Sequence, residues 1–566
     1  MEQAKPADQD EEDPNLGYSR LIEPPKEPEM TQLRIAACLC SLLAVPGVVL
    51  AQGEDHSQHK ATSSNVGTVS FETSCKPAVK DDFNHAVAEL HSFWFPEARA
   101  GFEGVLKTDP GCAIAYWGIA LTYWGNPFAG LRAPQAIAAG KAAIEKGQTT
   151  GSPTPREKGY IDAVAGLFSS ADPGTQRARV VAYEGATEAV AAKNPADIEA
   201  RIFWALAIAQ TALPTDKSFA QNLKAAEILE PLYKKMPNHP GLAHYIIHSY
   251  DVPALAEKAL PAARAYADIA PSVPHALHMP SHTFTRVGLW KESVATNIKS
   301  AAEAEKTGGV AEALHALDYQ TYAYLQMAQD VQAKAVLDHA MTASAASGTS
   351  GSGAPNTFAI AAIPARYAME RLQWADAMAL TVRPAPNTPY TEAMTHFARA
   401  VGAARAGKPA EAANDIARLK AIHDRELELK DAYWAEQVDI QRKVAEAWVA
   451  YASGQKDEGI KLLAGAADAE DLTDKSAVTP GPLAPARELY GFMLLDAGRS
   501  KDALAAFEAV TKKEPNRFLA LYGAGKAAEA TKQPAKAKGY YTQVVRICKD
   551  AAADRPELVY ARKMAK

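Results

Sequence analysis

The apolar positions of this chain, rich in Ala, follow a helical pattern, and the alternating Val, Ile and Thr runs that mark sheets are scarce. The pattern also repeats. Near the C-terminus Gly491, Ala503, Phe507, Val510 and Pro515 take the spacings of a helix-turn-helix unit, and Gly525, Ala537, Tyr541 and Val544 each follow a counterpart by 34 residues. Small residues are needed where two helices of a pair approach closely, an aromatic fills the gap to the next pair, and Pro ends the second helix. Isolated units of this kind cannot bury their apolar faces, so they stack. The fold predicted is all-α, a right-handed α-solenoid of stacked antiparallel helix pairs enclosing a concave groove.

A similar frame appears early, where Ala98, Phe102, Val105 and Asp109-Pro110 precede a helical stretch from Ala113 to Trp124. Between the ends, a turn Gly recurs with a small residue five positions on: Gly288 and Ser293, Gly407 and Ala412, Gly454 and Gly459, Gly498 and Ala503. With these residues the sequence resembles the tetratricopeptide repeat family over most of residues 80 to 547, strongly at the ends and weakly between 125 and 230.

The 566 residues exceed what one compact core normally serves, which suits an elongated array. Pro, Gly and Ser break the helical pattern at Gly147–Pro155, Gly348–Asn356 and Thr473–Pro485. These breaks predict repeat blocks over 80–347, 357–472 and 486–566, joined by linkers at 348–356 and 473–485.

The N-terminus reads in pieces. Residues 1–29 are polar, acidic and Pro-rich, and read as a disordered tail or an over-extended start. From Met30 a single Arg is followed by an apolar run from Ile35 to Leu50 and small residues before Gln52, the form of a secretory signal peptide over 30–51. That run falls short of the ~20 residues that span a bilayer, and Pro46 and Gly47 interrupt it, so no stable membrane span is expected after cleavage. Residues 52–79 would form a flexible mature N-terminus, and the protein would be periplasmic or secreted.

Export bears on the cysteines. Cys75, Cys112 and Cys548 would remain in an oxidising compartment, where Cys75 and Cys112 either form a disulfide or stay buried thiols. The 60 basic and 66 acidic residues give a net charge of −6 without a basic stripe, which argues against nucleic acid as a partner.

Candidate chemistry lies in the histidines, 6 of whose 14 fall between residues 239 and 282. His244 and His248 share one helical face, and Asp251 lies a further turn along. Pro280 belongs in the first turn of a helix, which puts His282 on that helix and His278 just before it, so that a loop-to-helix junction would aim His275, His278 and His282 at what the preceding helix pair presents. Neutral imidazole and carboxylate are what a divalent transition metal accepts, and three or four such groups make a site. His244, His248, Asp251, His275, His278 and His282 are therefore candidate ligands for copper, zinc or iron. The plain alternative is that each histidine is a satisfied core or capping residue. His85 or His91, Tyr245, Tyr250, His315 and Asp318 are further candidates at the edge of such a site. Neither His-x-x-x-His pair carries the Glu of a zinc protease, and no phosphate-binding Gly loop or Gly-x-Ser-x-Gly elbow is present.

The phrases LHSFWF, AYWG, HYIIHSYD and HMPSHTF are together similar to a group of exported bacterial tetratricopeptide-repeat proteins. That resemblance implies a helical repeat fold with a shared histidine-rich centre, and no activity comes with it. Two function classes follow. One is a scaffold whose groove binds a peptide, a protein or a small molecule. The other is a metal-dependent enzyme, performing oxygen chemistry or hydrolysis, built on the same scaffold.

Overall fold

The computed structural model describes residues 65–346, 354–552 and 555–566. The expectations for the tail at 1–29 and the signal at 30–51 lie outside these residues, as does most of the 348–356 linker. Among the described residues all regular structure is helical. Successive helices pair and stack in chain order, from Lys80–His91 with Phe95–Thr108 to Phe518–Ala530 with Pro534–Ile547, which makes the fold an all-α solenoid.

The local chemistry explains the breaks. The turn glycines Gly288, Gly407, Gly454 and Gly498 all have φ between 69° and 90°, the left-handed region that a residue with a Cβ adopts only at a cost. Pro occupies the first turn of the helices at Pro134, Pro155, Pro240, Pro280, Pro389 and Pro534, where its missing N–H is no loss. Small residues do what the repeat predicts. A Cβ at Gly491 would meet the Phe507 ring at 2.8 Å and one at Gly523 would meet it at 2.4 Å, so that ring fills the gap between two helices that only glycine leaves open. Gly118 and Phe102 repeat the relation at the N-terminal end, at 2.3 Å.

Two large apolar cores run through the stack, one from Val66 to Phe284 and one from Ala328 to Ala561, with smaller clusters around Leu314 and Trp290. The array also turns back on itself. Lys430 pairs with Asp172 at 3.0 Å, Lys217 with Asp474 at 2.8 Å, and Trp290 Nε1 donates to Asn516 O at 2.9 Å. Residues more than 220 positions apart thus meet.

Two sequence expectations are corrected. Residues 65–79 are not a flexible lead-in: Phe71 is 1 % exposed, its N–H donates to Asn84 Oδ1, and Cys75 is disulfide-bonded to Cys112. The stretch is held because its few apolar residues, Val66, Val69 and Phe71, all join the first core. Thr473–Pro485 is irregular, as its turn residues predict, but it is not a spacer. Tyr319 Oη donates toward its carbonyls at Ala477 and Thr479, 3.3 and 3.1 Å away, and the buried Arg366 donates to Gly481 O at 2.9 Å. Its backbone polar groups are satisfied by the protein, which lets it pack inward over the histidine-bearing helices.

Candidate metal centre

Four short lengths of helix bring six imidazoles together. Pro240–Ser249 carries His244 and His248, Pro274–His278 carries His275 and His278, Pro280–Arg286 carries His282, and Val310–Gln326 carries His315. They divide into two sets of three, His244 with His248 and His275, and His278 with His282 and His315, the ring nitrogens of each set lying within 4.8 Å of one another. The sets adjoin: the His248 and His282 rings are 5.9 Å apart and those of His275 and His278 are 6.1 Å apart.

Hydrogen bonds fix which ring nitrogen is bare. His244 Nδ1 lies 2.7 Å from the His91 carbonyl at the end of helix Lys80–His91, which can only accept, so Nδ1 carries the proton and Nε2 is bare. His278 Nδ1 is 2.6 Å from Asn297 Oδ1, and that amide is oriented by its own donation from Nδ2 to Ser293 O. His282 Nδ1 is 2.9 Å from Asp251 Oδ2. Both His278 and His282 therefore carry the proton on Nδ1, and their bare Nε2 atoms face each other at 3.1 Å. The bare His244 Nε2 lies 3.2 Å from His275 Nε2, which is free to donate to it. His248 Nε2 is buried without any partner.

Protonation does not relieve these contacts. Burial, reinforced by the neighbouring imidazoles, holds His244, His248, His275, His278 and His315 well below the ordinary value of 6.5, and burial lowers His282 despite Asp251. The six rings are neutral at pH 7, the form that binds a metal. Two nitrogens about 2.0–2.1 Å from one ion stand roughly 2.9–3.4 Å apart for right-angle to tetrahedral bonding. The facing pairs fall inside that interval.

A second layer orients the rings. Asp251 lies two residues beyond its helix and turns away from both trios: Arg286 Nε donates to its Oδ1 at 2.8 Å, and His282 occupies its Oδ2. Although burial opposes ionisation, Lys475 and Arg286 hold Asp251 well below the usual carboxylate range. Phe93, at a strained φ of 55°, presses its ring on His244 at 4.3 Å, and Phe128 stacks on His248 at 4.0 Å. Tyr319 Oη reaches within 3.3 Å of His282 Nε2.

Of the candidates from the sequence, His244, His248, His275, His278, His282 and His315 converge. Asp251 orients a ring and is not aimed between the trios. His85 is half exposed beside Glu89 at 3.3 Å, Tyr250 donates to Glu230 at 2.8 Å, and Asp318 binds Arg366 at 2.8 Å. His91 contributes its carbonyl, while its ring belongs to a separate chain of hydrogen bonds. Tyr245 Oη lies 2.9 Å from His91 Nδ1, His91 Nε2 lies 2.9 Å from Glu199, and His239 Nε2 lies 3.0 Å from the other Glu199 oxygen. Burial opposes ionisation of Glu199, yet His239 and His91 bring it down to about 2. With Glu199 an anion, both Nε2 atoms donate their protons to it, and His239 Nδ1 is left buried without a partner. Sequence reading missed Glu199, Asn297 and Tyr319, which carry no motif, although Tyr319 shares its helix with His315 and Asn297 lies on the helix that follows His282.

No known family pattern matches the chain, and no curated protein matches it. Among solved structures, a tetratricopeptide repeat protein from Parabacteroides merdae ATCC 43184 aligns with 48 % of this chain and 98 % of its own, at 13 % identity and a TM-score of 0.27. The APC/C hetero-tetramer Cut9–Hcn1 aligns over 86 % of this chain and 96 % of its own, at 10 % identity and a TM-score of 0.31. The all-α solenoid follows from the helix pairing described above.

Proposed function

We propose that this protein is a metalloprotein in which two adjacent tri-imidazole sets hold a pair of transition-metal ions, copper before zinc or iron. The observation that carries the reading is the contact of two bare ring nitrogens, His278 Nε2 and His282 Nε2, 3.1 Å apart in a buried site. Lone pairs so placed repel, and a shared ion turns the repulsion into two bonds. The outer layer supports it: a carbonyl, an amide and a carboxylate hold the remaining N–H groups of His244, His278 and His282, as partners of metal-bound histidines do.

The donor set favours copper. It offers imidazole nitrogen alone, without the carboxylates that hard cations or di-iron sites use. Six neutral ligands in a buried site also leave the charge of two divalent ions uncompensated, a cost that monovalent copper lowers. Copper supplies one-electron and dioxygen chemistry when bound. The residues here would position it, with Phe93 and Phe128 packed against His244 and His248, and would hold the outer protons on Nδ1.

We propose as well that the protein lies outside the cytoplasm, a reading supported by the Cys75–Cys112 disulfide, which suits an oxidising compartment. Cell fractionation checks this part. The metal reading is tested by titrating the metal-free protein with Cu(I) under anaerobic conditions and with Zn(II), each against a chromogenic chelator. Two Cu(I) per chain held more tightly than zinc is the expected result. Affinity no higher than that of the urea-unfolded chain overturns it and leaves a repeat scaffold that binds other partners.

A further inference from the structure

A cleft of about 450 Å³ opens beside the first tri-imidazole set, lined by Phe128, Leu213, Phe219, Val252, His248 and Lys475 among others. Its walls are mixed: these apolar side chains alternate with Gln176, Arg177, Gln210, Asn222 and Asp251. At its inner end sits Lys475, whose side chain is 5 % exposed and whose Nζ has no hydrogen-bond partner. Three N–H donors are thus buried and unused, a cost that a folded chain rarely bears without a purpose. Asp251 Oδ2 stands 3.5 Å away, an ion pair without hydrogen-bond contact, and its oxygens already serve Arg286 and His282.

The charges around the cleft leave Lys475 in surplus. Asp474 is paired with Lys217 at 2.8 Å and Lys430 with Asp172 at 3.0 Å, and Arg177 is spent on the Thr211 carbonyl at 2.6 Å. His248, the second residue at the inner end, also has a buried nitrogen without a partner. A cationic donor beside the apolar side chains of Phe128, Leu213, Phe219 and Val252 recognises a molecule with an anionic oxygen at one end and a hydrocarbon body at the other.

We infer that this cleft is a binding subsite for a small aromatic carboxylate or a closely similar organic anion, its oxygen on Lys475 Nζ and its ring beside Phe128, next to the His244–His248–His275 set. The inference rests on the metal reading only for what the bound molecule would face. Binding itself is a property of the metal-free protein.

The test is calorimetric titration of metal-free wild-type protein with benzoate, with acetate and sulfate as comparison arms, and of Lys475→Met, Lys475→Arg and Leu213→Trp. Leu213 is 52 % exposed at the mouth of the cleft, so a tryptophan there narrows the entrance without disturbing the core. Saturable 1:1 binding of benzoate is expected, with acetate and sulfate weaker. Loss of a charge-assisted hydrogen bond in Lys475→Met should weaken benzoate roughly 10- to 100-fold, with Lys475→Arg recovering part of the affinity and Leu213→Trp weakening it independently. No saturable binding, sulfate binding as tightly as benzoate, or Leu213→Trp and Lys475→Met both matching wild type overturns the inference. Metal stoichiometry of Leu213→Trp, measured alongside, should equal wild type. A protein that binds benzoate but no metal keeps the subsite and loses the metal reading, and the converse result does the opposite.

Discussion

His278 and His282 face each other through bare Nε2 atoms 3.1 Å apart, with their Nδ1 protons committed to Asn297 and Asp251. Each of the following expectations derives from that relationship or from the fold that enforces it.

Asp251→Asn keeps the size of the group that orients His282 but removes the charge that Arg286 and Lys475 compensate. Metal affinity should fall about 10- to 100-fold, as for other residues behind a ligand. Stability should fall by about 3–5 kcal/mol, because buried cations lose their partner. Chelator competition and a thermal melt read the two effects separately; an unchanged affinity would remove Asp251 from the site.

The metal-free protein should lose stability as the pH falls below about 6.5. All six imidazoles of the cluster have folded values below the ordinary 6.5, so the unfolded chain takes up protons there that the folded chain refuses. Their contribution is complete above pH 6.5 and is lost on acidification, at up to about 1.4 kcal/mol per pH unit for each ring. Asp251 and Glu199, depressed in the folded state, act in the same direction only below the ordinary carboxylate range. Urea midpoints at pH 7.5, 6.5 and 5.5 isolate the imidazole window, and a flat profile would contradict it.

Gly118→Ala should destabilise by about 1–3 kcal/mol, since its Cβ would stand 2.3 Å from the Phe102 ring. Gly104→Ala, one helix earlier, meets nothing within 4 Å and should stabilise by up to about 1 kcal/mol. Denaturant melts of the pair test whether the glycine-aromatic contact, rather than glycine itself, sets the helix spacing.

The Cys75–Cys112 disulfide closes a loop with a sequence separation of 37, for which chain entropy gives about 4 kcal/mol. Double replacement by Ser should destabilise the N-terminal helices by about that much or less, seen as lost hydrogen-exchange protection at Phe71 and Phe83, while leaving metal content unchanged. Equal protection in both forms would show that the bond is not structural.

The sequence made much of this legible where the signal is local. Phe507 with Gly491, and Tyr541 with Gly525, pack as the 34-residue period requires, because a repeat must contact its neighbour in the same way each time. The placement of Pro280 in the first turn, with His282 on that helix and His278 just before, was readable from proline chemistry alone. What was not readable depends on closure of the array. Thr473–Pro485 has the composition of a spacer, yet contacts with residues over 100 positions away bring Lys475 to the site. Asp251 looked like a ligand by its spacing from His248, but the helix ends at Ser249 and the carboxylate turns to Arg286. His315, set apart in the sequence at the edge of the candidates, proved to complete the second trio.

The most direct test of the central claim is elemental analysis of the protein purified without a His-tag and loaded with copper. Wild type, the His278→Ala/His282→Ala double variant, and His339→Ala as a control outside the cluster are compared. Two copper ions per chain in wild type and control, and one in the double variant, is the result this account requires. No bound copper in wild type, or as many ions in the double variant as in wild type, contradicts it.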